Sequence, residues 1–136
     1  MGMLGGDSML AITSASAVQR KERCLMMKSS LTALVRHELD HARQASSGRS
    51  AKTVYGGSER TLRQTVIALS AGAKLDEHEN PGEATVFVLH GRVVLVAGEN
   101  SWSGSPGDLL IVPESRHSLE ALEDAAVLFT VAKVRR

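Results

Sequence analysis

Two histidines, His78 and His117, each stand beside an apolar run of strand character. His78 belongs to Gly72-Ala73-Lys74-Leu75-Asp76-Glu77-His78-Glu79-Asn80-Pro81-Gly82-Glu83-Ala84, which leads through residues 86–89 to Gly91. His117 ends Pro106-Gly107-Asp108-Leu109-Leu110-Ile111-Val112-Pro113-Glu114-Ser115-Arg116-His117. A neutral imidazole is the commonest protein ligand for zinc, iron, nickel and copper. An open metal site needs three or four ligands. His78 and His117 would be the start of one. A second pair, His37 and His41, is spaced i, i+4 around Glu38. That spacing places both rings on one helix face.

The elements that must position these groups follow from periodicity. Beyond residue 51 the apolar period is two. Strands are predicted over 52–55, 61–69, 84–89, 92–97, 101–103, 109–112, 118–122 and 126–132, broken by Gly, Pro and Asn. Short, evenly spaced strands without βαβ alternation indicate a sandwich or barrel. Alternate residues of a strand share a face. If Ala84 faces inward, Val86 and Val88 do too, and His78 and Asn80 share that parity upstream. His117, Leu119 and Ala121 share a face on a later strand. His90 agrees in parity with Ala84 but reads as an ordinary strand end. Arg63 and Gln64 interrupt an apolar strand, so one of them is expected toward the lumen or a subunit interface.

Residues 30–45 read as a helix, capped by Ser30 and closed by Ser46-Ser47-Gly48. Leu31, Leu34, Val35, Glu38, Leu39 and Ala42 form its packing stripe, which could cover a barrel face or a partner subunit. The expected organisation is a flexible tail over 1–28, a helix over 29–47 and a barrel over 51–136. Met26 or Met27 is an alternative start within the tail. Neither the tail's charge cluster, Arg20-Lys21-Glu22-Arg23, nor Arg135-Arg136 implies more than solvated termini.

The two histidine segments resemble the small single-domain cupins, the RmlC-like jelly-roll family. Their first motif reads G-x5-H-x-H-x3,4-E-x6-G, which Gly72, His78 and Gly91 match in register. Asn80 stands for the second His and Ala84 for the Glu, with Glu83 one residue early. In the second motif, roughly G-x5-P-x-G-x2-H-x3-N, Gly107 and Pro113 match, Ser115 stands for the Gly, and His117 comes one residue early. The resemblance spans about residues 52–133 and implies an all-β jelly-roll barrel, here with one N-terminal helix. It further implies a homodimer, and a pocket lined by His78, Asn80, Glu83, Ala84, Val86 and His117. It also implies a divalent metal (Zn, Fe, Mn or Ni) on His78, His117 and Asn80. Because Asn80 and Ala84 depart from the three-His-one-Glu set, the ligand count weakens the metal. Glu83 could replace the missing Glu only if a bulge turned it inward.

His37-Glu38-Leu39-Asp40-His41 also matches H-E-x-x-H and so resembles the zinc-peptidase helix. Its histidines fall on the flank of the packing stripe and no third-ligand motif follows at short range. The expected reading is a solvated helix face, with a zinc peptidase as a minor alternative.

Bulk composition narrows the partners. Net charge is +1 without a long basic run, so no nucleic-acid partner is expected. Residues 1–50 carry seven Lys/Arg against four Asp/Glu, and 51–136 carry nine against eleven, so the barrel half is slightly acidic. No apolar run reaches transmembrane length and no signal peptide is evident. A single cysteine, Cys24, excludes an intrachain disulfide and fits a cytoplasmic setting. The expected function is a cupin-fold binding or regulatory module for a small, polar organic molecule. The alternative is a metal-dependent isomerase or dioxygenase with Glu83 or Glu79 as base.

Overall fold

The computed structural model describes residues 28–78 and 82–133, with Glu77 and His78 described as backbone. The expected tail, apart from Lys28, lies outside these residues, as does Asn80. Helix α1, Leu31–Gln44, starts where expected: Ser30 accepts a hydrogen bond from the Ala33 amide at 3.2 Å.

Nine strands follow: β1 (Arg49–Tyr55), β2 (Leu62–Leu69), β3 (Lys74–His78), β4 (Gly82–His90), β5 (Val93–Ala97), β6 (Asn100–Gly104), β7 (Leu109–Ile111), β8 (His117–Ala121) and β9 (Ala125–Lys133). They form a five-stranded sheet ordered β1-β2-β9-β4-β7 and a four-stranded sheet ordered β3-β8-β5-β6. Apolar residues at every second position close the two sheets on each other. Val86, Val88 and Val127 of the first sheet pack in one cluster with Val93, Leu95 and Leu119 of the second. Each side chain so enclosed stabilises by about 1.5–3 kcal/mol before conformational entropy is counted.

The outer face of the larger sheet receives α1. Val35, Leu39 and Ala42 pack on Ala68 and Ala126, which are direct partners across β2 and β9. Alanine at both positions lets the helix approach closely. The helix stripe thus covers a barrel face. Glu38 is buried on that stripe and accepts a hydrogen bond from Ser50 Oγ of β1.

A polar clasp fixes the helix end. Asp124, in the β8–β9 turn, accepts from Arg43 Nε and from the Ala71 amide, both at 2.8 Å. Arg43 also contacts Asp40 at 3.2 Å. The Arg43 hydrogen bond first, then the Ala71 amide, holds the Asp124 carboxyl below its ordinary 3.8. The resulting stability is present above that ordinary value and is lost as pH falls through the lowered one. Asp124→Asn should therefore melt below wild type at neutral pH, and the gap should close on acidification. Melting temperature followed against pH by circular dichroism checks this; a gap constant through the acid range would remove the clasp from the account.

Strand β3 is absent from the sequence-based expectation. It is an edge strand carrying Lys74, Asp76 and Glu77 around one apolar residue, Leu75, so it shows no apolar alternation. Its pairing with β8 is also irregular. Leu75 stands opposite Leu119 and His78 opposite His117, so β3 holds one extra residue between those pairs. Without that bulge Glu77 would occupy the register position opposite His117.

Candidate functional site

His117 opens β8 and is 2% exposed. Its Nδ1 lies 3.1 Å from the Ser115 carbonyl oxygen, which only accepts, so Nδ1 donates. In the neutral ring the lone pair then resides on Nε2, which is buried. The Pro113-Glu114-Ser115-Arg116 turn therefore fixes the ring as well as delivering it.

His117 borders a cavity of about 100 Å³ between the sheets. Val86, Leu95, Leu119, Val127 and Phe129 supply much of the remaining wall, and His117 is the polar residue among the described lining. The described walls would suit an apolar body with one polar point. Polar groups buried without partners are costly, so such walls discriminate strongly against a second one. Periodicity marked Val86 for the lumen; Ile67, Leu95 and Phe129 were readable as inward strand residues but not as the cavity wall.

The other expected site residues separate. Ala84 is 6% exposed and packs in the core, opposite Val131 on β9. It offers no donor. Glu83 is exposed, and the irregularity in β4 falls between Val88 and His90, well past it. Nothing turns Glu83 inward, so it neither lines the cavity nor replaces the missing carboxylate. The same irregularity leaves His90 exposed despite its parity with Ala84. Of Arg63 and Gln64, Gln64 donates to Thr130 Oγ1 at 3.2 Å, while Arg63 is exposed near Thr65 and Phe129. His78 is brought opposite His117 in register, by backbone alone. Among the described side chains, the cavity thus presents one metal donor, His117. One imidazole falls short of the three or four ligands a catalytic metal requires.

The glycine-bearing turns hold the strands that build this pocket. Gly107, at φ +96°, donates its amide to the Val88 carbonyl, and Asp108 accepts from the Ser105 amide at 2.8 Å. The Pro-Gly-Asp sequence is therefore the turn that returns the chain to β7.

Solved structures with this arrangement are numerous. A cupin superfamily protein from Desulfitobacterium hafniense matches with a TM-score of 0.59 at 18% identity, over 63% of this chain and 78% of that one. This is a cupin fold. An RmlC-like cupin from Desulfovibrio desulfuricans matches with a TM-score of 0.55 at 25% identity, over 62% of this chain and 81% of its own. A transcriptional regulator of the HTH_3 family from Vibrio cholerae matches with a TM-score of 0.56 at 18% identity, over 64% of this chain and 52% of that one. No protein-family model matches the sequence, and no curated protein does. Within the cupin barrel the two histidine segments fall on strands β3–β4 and β7–β8. No helix among the described residues is long and apolar enough to cross a membrane.

On the outside of the barrel, His37, Glu38 and His41 bring their ligand atoms within 4.8 Å of one another. Both histidines are exposed, as the stripe predicted, and Glu38 is buried.

Proposed function

We propose that this cupin barrel is a binding or regulatory module for a compact molecule with an apolar body and one hydrogen-bonding group. The carrying observation is the cavity of about 100 Å³ whose described walls are apolar except for His117. An apolar cavity of about 150 Å³ admits benzene, and this one is smaller at about 100 Å³, so a benzene-sized ligand must also reach past Phe129 toward Arg63. The barrel shared with a transcriptional regulator supports a regulatory use. The cytoplasmic setting and the small-molecule partner belong to this reading. So does a homodimer, for which Leu109, Ile111 and Phe87 are exposed on neighbouring β7 and β4.

The metal-dependent enzyme is the second reading. The Nδ1–carbonyl hydrogen bond that leaves the His117 lone pair on Nε2 is the arrangement metal-ligating histidines use. The described donor set does not complete a site, and no step is derived through a metal. The peptidase reading has no support in the placement of Glu38: its carboxylate is engaged by Ser50 beneath the helix instead of standing free as a general base.

One set of samples tests these readings. Full-length protein, purified without added metal or chelator, is assayed for metal and titrated with phenol and benzene while its melting temperature is followed. Phenol is expected to raise the melting temperature more than benzene, with metal well below stoichiometric and a dimer by sedimentation. Stoichiometric metal lost in both His78→Ala and His117→Ala would replace the binding module with the enzyme.

A further inference from the structure

The zinc-peptidase spacing on α1 has a different use. We propose that His37, Glu38 and His41 form a surface clamp for a divalent transition-metal ion, separate from the barrel cavity. All three ligands belong to α1, and the carboxylate among them also accepts a hydrogen bond from Ser50 of edge strand β1.

Three observations carry it. The two imidazoles stand one helical turn apart, their ring centroids 4.3 Å from each other and their planes at 57°. Both are exposed, so a hydrated ion reaches them directly. Each offers a nitrogen, and these with a Glu38 carboxylate oxygen all lie within 4.8 Å. At metal–nitrogen distances of about 2.0–2.1 Å, tetrahedral ligand atoms stand roughly 3.4 Å apart. The cluster is therefore somewhat open relative to a bound ion, and rotation of the two exposed imidazoles is what would close it.

Glu38 makes the site more than a chance pair. Burial and the hydrogen bond from Ser50 hold its carboxylate in one place at the seam between α1 and β1. A carboxylate has two oxygens, so accepting from Ser50 leaves a second for the ion. The acidic residue supplies the negative charge that two neutral imidazoles lack. Borderline ions with nitrogen-rich preferences, zinc above all, fit this donor set; calcium and magnesium, which prefer oxygen, do not. Neighbouring Asp40 is engaged by Arg43 and is not needed.

The test uses full-length protein stripped with chelator and dialysed. Zinc chloride is added in calorimetric titrations, with magnesium chloride in parallel, on wild type, His37→Ala, His41→Ala, Glu38→Gln and His117→Ala. The proposal expects a single zinc site of micromolar affinity, unaffected by magnesium. It also expects a zinc-dependent rise in melting temperature. His37→Ala and His41→Ala, whose side chains are exposed, should fold normally and lose at least tenfold in affinity. Glu38→Gln should weaken binding, and His117→Ala should retain it. Wild type that binds no zinc at micromolar concentration overturns the clamp. So does binding that survives both helix histidine variants, or that disappears only with His117→Ala.

Discussion

Gly91→Ala should cost more stability than any other single methyl added to this barrel. Gly91 sits between β4 and β5 at φ +74°. An added Cβ there would lie 2.0 Å from the Asp124 carbonyl oxygen and 2.8 Å from the Ala125 Cα. Both are backbone atoms, so no side-chain rotation relieves the contact. Left-handed backbone alone costs an alanine about 1–2 kcal/mol. The clash must be relieved by shifting the β8–β9 turn, which carries Asp124 and starts β9, the strand bonded to both β2 and β4. A total above about 4 kcal/mol is expected, a large part of the 5–15 kcal/mol of a typical domain. Gly98→Ala is the matched control. It too has positive φ, +60°, but meets nothing within 4 Å. Thermal unfolding should place the Gly98 variant about 4–8 °C below wild type and the Gly91 variant ~15 °C below it, or insoluble. Equal melting of the two variants would refute the close-approach argument.

That glycine also shows why the fold was legible. Gly72, Gly91, Gly107 and Pro113 mark turns, and turns are local: the residue type required by a positive φ or a close approach is visible without knowing the rest of the fold. Strands β2, β4, β5 and β9 were legible for a related reason. Each is a short apolar run rich in strand-forming residues and bounded by turn residues, and in β4 and β5 the buried positions alternate with less buried ones. Helix α1 was legible through Ser30 and its stripe, on whose side Glu38 falls by spacing.

The site was legible only as far as parity holds. Register slips by one residue invert every facing assignment, and the two irregularities in β3 and β4 lie beside the histidines in question. His90 keeps the parity of Ala84 in sequence and loses it at the Val88–His90 irregularity. His78 reaches the position opposite His117 because β3 carries an extra residue, which no spacing rule in the sequence announces. Glu83 obeys simple alternation and stays outside. The apolar character of the cavity wall was hidden for a different reason. Ile67, Leu95, Val127 and Phe129 look like any other core residues, and a gap between sheets arises from how they meet, not from their types.

His117 makes two separable contributions, and substitutions should divide them. Its Nδ1 satisfies the Ser115 carbonyl, and its ring forms part of the cavity wall. His117→Ala removes both. It leaves the Ser115 carbonyl without that donor and adds empty volume next to an existing cavity, for an expected loss of about 2–4 kcal/mol. Asparagine places an amide N–H near the position of Nδ1, so His117→Asn should recover part of that stability by donating to Ser115 again. It does not extend to the position of Nε2, so it should not restore phenol binding. Glutamine reaches the Nε2 position instead and gives up the Ser115 contact. His117→Gln should then be less stable than His117→Asn yet keep a measurable response to phenol. The two variants should therefore rank oppositely in melting temperature without ligand and in the shift that phenol produces. If His117→Asn responded to phenol as wild type does, recognition would rest on the apolar walls alone. His117 would then be a residue that holds its turn and nothing more.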